Sequence, residues 1–118
     1  MTKRYRDITR SISGSLAKLR PAIPDVTTAF SQMARAVLEG ALDKKTKELI
    51  ALAIGVAVRC DGCIGFHVDA LVKLGATRAE VEETLGMAIY MGGGPSLMYA
   101  ADAIAAWEEF TAEAHPAG

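Results

Sequence analysis

Residues 48–67 read ELIALAIGVAVRCDGCIGFH, and this stretch decides the fold and holds the chemically distinctive residues of the chain. Residues 49–58 carry no charge, and the length of this apolar run is about half of what a membrane-spanning helix requires. An apolar run without a polar face is typical of a helix that is buried on all sides. A domain of 118 residues rarely encloses a helix completely, so we expect other subunits to help cover it.

Helical periodicity recurs on both sides of this stretch, and no segment of appreciable length alternates as a β-strand does. Asp43 is suited to cap the apolar helix, which runs to about Arg59, and Thr77 with Glu80 has the form of a capping box. Glycine and proline break the periodicity at residues 21–24, 40, 75 and 92–95. The sequence therefore predicts an all-α helical bundle of about six helices, with residues 1–118 as a single domain.

The composition excludes several classes of function. A net charge of -1 and a pI of about 6.1 create no strong field, so we expect neither nucleic acid nor a membrane as a partner. The N-terminal residues lack the apolar run of a secretory signal, which favours a cytoplasmic protein whose cysteines are reduced unless they cycle. No nucleotide-binding loop, flavin motif or haem attachment motif occurs in the sequence, so we expect no bound cofactor.

Both cysteines of the chain lie in one motif, Cys60-Asp61-Gly62-Cys63, and His67 follows Cys63 by one helical turn. Residues three and four apart on a helix are neighbours, so Cys60 can reach Cys63 and His67 can lie on the same side. At a helix N-terminus, free N–H groups and the helix dipole lower the pKa of a thiol. His67 can take the thiol proton or stabilise the thiolate. The motif therefore predicts an activated dithiol, although Asp61, a candidate N-cap, opposes thiolate formation.

Glu48 stands at the N-terminal side of the apolar stretch. If the apolar helix packs antiparallel to the helix with His67, Glu48 approaches the motif from the facing helix. A partly desolvated carboxyl at that place is suited to proton transfer. The alternative is a surface Glu48 that pairs with Lys44, four residues earlier. The sequence leaves both interpretations open.

Other interpretations of the cysteines are less specific. A free cysteine is often a small buried hydrophobic residue, and a histidine on an apolar helix face is more often a core residue than a catalyst. Cys60, Cys63, His67 and Glu48 would together supply four zinc ligands, but structural zinc sites usually use a second Cys or His pair, which this chain lacks. We therefore predict no metal here and keep a zinc-binding helical assembly module as an alternative.

The spacing of Glu48, the CxxC motif and His67 in an all-α context resembles the active-site pattern of the alkylhydroperoxidase D group of the carboxymuconolactone decarboxylase superfamily. The resemblance covers roughly residues 21–107, including the apolar helix and the turn at residues 74–77. It implies an all-helical fold that assembles as a homo-oligomer, a trimer or a hexamer. Methionines near the end of the chain suit such an interface, although they can equally fill the core: Met87, Met91 and Met98.

The resemblance also implies a thiol-dependent peroxidase, an antioxidant oxidoreductase with peroxiredoxin activity. Cys63 would attack a small hydroperoxide and become a sulfenic acid, Cys60 would resolve it as a redox-active disulfide, and His67 and Glu48 would relay protons. The cycle implies an external dithiol reductant, a lipoyl group or another protein thiol. Some members of the group carry a histidine directly before the second cysteine, where this chain has Gly62. A superfamily decarboxylase or lyase that does not use the thiols is the other alternative.

Overall fold

The computed structural model describes residues 2–116, which form six α-helices and no β-strand. The helices are α1 (Tyr5–Leu19), α2 (Pro24–Ala36), α3 (Lys44–Ala57), α4 (Asp61–Lys73), α5 (Arg78–Gly92) and α6 (Gly94–Ala114). The predicted all-α, single-domain bundle of about six helices is therefore confirmed. In the described part of the chain, no helix is long and apolar enough to cross a membrane.

Two helices begin at the capping groups that the sequence predicts. The side chain of Asp43 accepts a hydrogen bond from the backbone N–H of Thr46 at the start of α3 (2.7 Å), and this bond holds the pKa of the carboxyl below its ordinary value. At the start of α5, the Thr77 N–H donates to the Glu80 carboxylate (2.9 Å), and the Glu80 N–H donates to the Thr77 hydroxyl (3.1 Å). These bonds satisfy N–H groups that a helix leaves free in its first turn.

Four helices supply most of the core of the bundle, and Tyr5 of α1 adds to it. α3 packs against α4, α5 and α6, and α6 also packs against α4 and α5. α1 lies mainly on α4, with a smaller contact to α6. The core includes side chains that are at most 3% exposed: Leu52, Val56, Ile64, Val68, Leu71, Val81, Leu85, Ala103, Ala106 and Phe110.

The apolar stretch of α3 is buried on one face only, so the single chain does not enclose this helix, as expected for a domain of this size. Burial of its other face by further subunits stays a prediction. Leu52 and Val56 are fully buried against the bundle, whereas Ile50 and Ile54 are 45% and 57% exposed. The reason is geometric, because a domain of this size has too few helices to surround one of them. The outer face of α3 therefore leaves apolar surface that the single chain does not cover.

No helix of the described chain packs along α2, and none of the residues of α2 is buried. Its apolar side chains recur at helical spacing and are all more than half exposed: Val26, Phe30, Met33 and, just after the helix, Val37. A helix of 13 residues is only marginally stable in water without packing on its apolar face. The amphipathic pattern of α2 thus has no partner within the single chain.

Arg6 fastens α1 to the bundle. Its guanidinium donates to the carboxylate of Asp69 on α4 (3.1 and 3.3 Å) and to that of Glu113 on α6 (3.0 and 3.1 Å). It also lies 4.5 Å from the ring centroid of Phe110. Burial alone raises the pKa of Asp69, but the hydrogen bonds and positive charges of Arg6 and Lys73 together outweigh it, so this carboxyl titrates below its ordinary value of 3.8.

Replacing Arg6 by Met is expected to lower the free energy of unfolding by about 1–3 kcal/mol at neutral pH, because Asp69 keeps only the exposed Lys73 as a partner. Since the folded-state pKa of Asp69 is lowered, its contribution to stability is present above pH 3.8 and is lost as the pH falls through the folded value. The difference in the free energy of unfolding between Arg6→Met and the unmodified chain should therefore become smaller at acidic pH. Urea unfolding at neutral and acidic pH measures it, and a difference that stays constant would contradict the ion-pair explanation.

α3 ends just before the cysteine motif in a strained turn. The Cys60 N–H donates to the Gly55 carbonyl (2.9 Å) and the Arg59 N–H donates to the Val56 carbonyl (3.1 Å), which is the Schellman arrangement that commonly ends helices. Arg59 has a φ of 60° and is the one non-glycine residue of the described chain with a positive φ. Side chains with a Cβ are disfavoured in this conformation.

Arg59→Gly is expected to raise the free energy of unfolding by about 0.5–1 kcal/mol, because glycine adopts positive φ without steric cost. The larger entropy that glycine loses on folding reduces this gain but does not cancel it. Val58→Gly is the matched control, since Val58 has an ordinary φ of -91° and its replacement should destabilise the chain. Thermal unfolding of both variants measures the two effects. A loss of stability in Arg59→Gly would mean that the arginine side chain contributes more than the strain costs.

Candidate redox-active site

The CxxC motif lies at the junction of α3 and α4. Cys60 and Cys63 are joined in a disulfide, with their Cα atoms 5.2 Å apart. Cys60 is the N-cap of α4, and its Sγ accepts a hydrogen bond from the backbone N–H of Cys63 (3.1 Å). The expectation that Asp61 caps this helix is therefore wrong: Asp61 is its first residue, because sulfur already occupies the capping position. The motif thus places a sulfur atom where a helix favours negative charge.

Glu48 and His67 meet across α3 and α4. The Oε2 atom of Glu48 lies 2.6 Å from Nδ1 of His67, and the two side chains are 13% and 33% exposed. Glu48 forms no ion pair with Lys44 in the described chain; its partner is His67. The structure therefore has Glu48 approaching from the facing helix, as one of the two sequence interpretations expects, and it places the Glu48–His67 pair one helical turn beyond Cys63.

A glycine on α3 makes the close approach of the two helices possible. A Cβ atom built on Gly55 would lie 2.9 Å from the Cβ of Cys63. Such a contact is shorter than van der Waals packing allows, so any other residue at this position would push α3 and α4 apart. Gly55 thus holds the cysteine motif against α3, and the sequence alone gives no sign of this role beyond the glycine itself.

Gly55→Ala is expected to lower the free energy of unfolding by about 1–3 kcal/mol, because the added methyl overpacks the contact with Cys63. The control is Gly14→Ala in α1, where a Cβ would meet nothing within 4 Å. That change should stabilise the chain by about 0.5–1 kcal/mol, since alanine is the better helix former. Urea unfolding of reduced and oxidised protein measures both. Equal stability of the two variants would show that the helices separate without cost.

Gly62, between the cysteines, is covered by α1. A Cβ atom at Gly62 would lie 2.7 Å from Cδ1 of Ile12. The Ile12 side chain thus occupies the space into which a larger side chain at this position would project. Some members of the alkylhydroperoxidase D group have a histidine at the position of Gly62, and in this chain the packing of α1 leaves no room for such a side chain there.

The Glu48–His67 pair opens on an apolar cavity of about 420 Å³ between the end of α2 and α3. Besides Glu48, His67 and Lys47, its lining consists of aliphatic side chains: Ala34, Val37, Leu38, Ile50, Ala51 and Ile54. A volume in this range is ordinary for a small-molecule site. This cavity is not predictable from the sequence, because no periodicity indicates which helix the end of α2 approaches.

Asp61 connects the cysteine motif to the N-terminal segment. Its Oδ1 atom accepts hydrogen bonds from the Lys3 Nζ (3.0 Å) and from the Tyr5 hydroxyl (3.1 Å), and Lys3 also donates to Asp102 of α6 (2.8 Å). The hydrogen bond to Asp102 raises the pKa of Lys3, and burial raises the pKa of Tyr5. Lys3 therefore stays charged and Tyr5 stays protonated beside the dithiol. Nothing in the sequence predicts this role for either residue.

Cysteine, histidine and glutamate side chains are also common metal ligands. Within residues 2–116, no three His, Cys, Asp or Glu side chains are clustered closely enough to hold a metal ion. Cys60 and Cys63 bond to each other, and Glu48 is engaged with His67.

Comparison with known sequences gives one family. The sequence model of the carboxymuconolactone decarboxylase family matches residues 24–106. An uncharacterized protein of Cupriavidus necator is 37% identical over 110 residues, which cover 92% of this chain and 94% of that protein. Uncharacterized protein 4 in the cox locus of Paracoccus denitrificans is 34% identical over 98 residues, covering 82% and 88%.

Solved structures share the fold. A carboxymuconolactone decarboxylase family protein from Legionella pneumophila superposes with a TM-score of 0.88 at 61% identity, over 91% of this chain and 96% of that chain. A family protein from Thermotoga maritima, proposed to be involved in an antioxidative response, superposes with a TM-score of 0.77 at 28% identity, over 95% and 94%. The six-helix arrangement is thus that of the family structures.

Proposed function

The chain belongs to the carboxymuconolactone decarboxylase family, and from this we propose that it is a thiol-dependent oxidoreductase that reduces hydroperoxides with Cys60 and Cys63. The observation that carries the proposal is the juxtaposition of three parts: a cysteine sulfur at the N-terminus of α4, a second cysteine bonded to it, and the Glu48–His67 pair one turn away. Thiolate stabilisation and an oriented histidine are what thiol-based catalysis needs. The antioxidative role proposed for the Thermotoga maritima relative supports this assignment.

The proposed cycle begins with the reduced dithiol. The Cys63 thiolate attacks one oxygen of the hydroperoxide and the O–O bond breaks, so that Cys63 becomes a sulfenic acid and the released alkoxide takes a proton to leave as an alcohol. The Cys60 thiol attacks the sulfenic sulfur, the disulfide forms, and water leaves. An external dithiol, a lipoyl group or a protein thiol pair, then reduces the disulfide by exchange and is itself oxidised to a disulfide. Each turn transfers two electrons from the external dithiol to the hydroperoxide.

Glu48 and His67 serve as the proton relay in this cycle. In this cycle the Glu48 carboxylate accepts a hydrogen bond from the Nδ1–H of His67 across their 2.6 Å contact, which leaves the Nε2 lone pair free. Nε2 can then take the proton of the Cys63 thiol and return it to the leaving alkoxide. We place the cycle in the cytoplasm, because dithiol reductants are maintained there.

The test is a thiol count on reduced protein before and after one equivalent of cumene hydroperoxide, read by alkylation and peptide mass. The expected result is rapid loss of two thiols, recovery of Cys60 and Cys63 in one disulfide-linked peptide, and one equivalent of alcohol. Two thiols that survive the peroxide would overturn the proposal. Stoichiometric zinc in protein purified without chelators would then indicate the zinc-binding module. Lactone turnover by a variant without cysteines would instead indicate a decarboxylase or lyase.

We also propose that the chain forms a homo-oligomer, a trimer or a hexamer. The apolar faces of α2 and α3 support this, and so do the predicted interface methionines Met87, Met91 and Met98, which are 59%, 76% and 62% exposed. Light scattering should give a multiple of the chain mass. Phe30→Asp on α2 should lower it, whereas the surface change Ser13→Asp on α1 should not. A monomeric mass for the unmodified chain would remove the proposal.

A further inference from the structure

The cysteine motif carries a carboxylate between its two thiols, and the N-terminal segment covers that carboxylate. Asp61 directly follows Cys60, and its Oδ1 atom accepts from both Lys3 (3.0 Å) and Tyr5 (3.1 Å). The side chain of Lys3 is also held by Asp102 (2.8 Å) and lies 4.8 Å from the ring centroid of Tyr99. The lysine is thus fixed between two carboxylates and an aromatic face.

The segment that carries these two residues is anchored independently of the motif. The backbone N–H groups of Tyr5 and Arg6 donate to the two carboxylate oxygens of Glu109 on α6 (2.8 and 2.9 Å). The Tyr5 side chain is 1% exposed, so its hydroxyl has a defined position. Lys3 and Tyr5 therefore reach Asp61 from a rigid support, which is the condition for a side chain to tune its neighbours.

An unpartnered Asp61 would impede thiol chemistry. A negative charge beside a thiol disfavours the thiolate, which is the reactive form. Lys3 supplies a compensating positive charge, and the Tyr5 hydroxyl supplies a hydrogen bond that fixes the carboxylate.

We propose that Lys3 and Tyr5 are positioning residues of the dithiol, which hold and compensate the Asp61 carboxylate so that the reduced thiols ionise near neutral pH. This inference rests on the proposed redox function for its biological meaning, but not for its measurement. The titratable and charged groups that surround the motif are Lys3, Tyr5, Glu48, Arg59, Asp61, His67 and Asp102. Among them, Lys3 and Tyr5 are the two that touch the charge inside the motif.

The experiment measures the rate of iodoacetamide alkylation of each reduced thiol as a function of pH, by peptide mass, at low salt. Lys3→Met is expected to raise the midpoint of the pH profile by about half to one pH unit, which lowers the alkylation rate at pH values well below the midpoint by about three- to tenfold. Lys3→Arg should restore the original profile. Arg4→Met is the matched control, because it removes a charge from the same segment without contacting Asp61. Molar salt should reduce the effect of Lys3→Met, since both side chains are partly exposed.

The decisive comparison uses Asp61→Asn. In that background, Lys3→Met should move the midpoint by less than half as much as in the unmodified chain, because the charge that it compensates is gone. An equal shift in both backgrounds, or none in the unmodified chain, would overturn the proposal. If Lys3→Met fails to fold, Tyr5→Phe replaces it in the same two backgrounds, because it removes the other hydrogen bond to Asp61. It should raise the midpoint in the unmodified chain and have less than half that effect in Asp61→Asn; an equal shift in both backgrounds would overturn the proposal. Alkylation uses no peroxide, so a protein without peroxidase activity can still pass or fail this test.

Discussion

Replacement of Cys63 by serine is expected to abolish hydroperoxide reduction, lowering kcat/KM by at least about a thousandfold. A serine hydroxyl keeps the shape of the side chain but does not ionise at neutral pH and cannot be oxidised to a sulfenic acid. The folded structure should survive, because oxygen replaces a sulfur that is only partly buried. Turnover of cumene hydroperoxide, coupled to a reduced dithiol such as dihydrolipoamide, measures the loss.

Cys60→Ser is the matched variant, and it should fail differently. Without the resolving thiol, Cys63 should still react once with peroxide and remain as a sulfenic acid, which dimedone traps as an adduct of the Cys63 peptide. Steady turnover should stop after that first event. The reverse pattern, with a trapped sulfenic acid on Cys60 in the Cys63→Ser variant, would exchange the two roles. The N-cap position of the Cys60 sulfur makes this comparison necessary, since a helix N-terminus favours a thiolate there.

The predictable part of this molecule is the part whose signals are local. Asp43 and Thr77 cap helices through bonds to residues three positions further along, so their pattern is readable in the sequence. The contact of Glu48 with His67 needs one further assumption, that two apolar helices joined by a short turn pack antiparallel. Glu48 and His67 are 19 positions apart in the chain, and antiparallel packing of their two helices is enough to bring the side chains together.

Long-range contacts set the limit of sequence reasoning. Lys3 and Asp61 are 58 positions apart, and no periodicity links them, since both would serve equally well as solvated surface charges. The apolar side chains of α2 recur at helical spacing, but an apolar stripe does not say what will cover it. The same applies to α3, whose apolar character on all sides indicates burial while the single chain covers only one face. In both helices the sequence indicates that an apolar face needs to be buried, but it does not identify the surface that buries it.

His67→Asn is expected to lower kcat/KM for hydroperoxide by about 10²–10³-fold, because the variant loses the imidazole Nε2 that takes and returns the thiol proton. Glu48→Gln should cost about tenfold, since the amide can keep a hydrogen bond to His67 but no longer stabilises a positive imidazolium. Steady-state kinetics over a range of pH measure both variants. The control is Glu83→Gln, an exposed glutamate on α5, which should leave the kinetics unchanged.

The double variant decides whether the two residues act as one unit. If Glu48 works only by orienting and charging His67, then Glu48→Gln together with His67→Asn should cost no more than His67→Asn alone. Full multiplication of the two losses would instead mean that Glu48 handles a proton of its own, which its place on the wall of the apolar cavity allows. A Glu48→Gln variant with normal kinetics would leave the 2.6 Å contact a structural link between α3 and α4. Comparing the kcat/KM losses of the two single variants and the double variant therefore distinguishes a proton relay from a helix-packing contact. The comparison does not depend on which hydroperoxide is used.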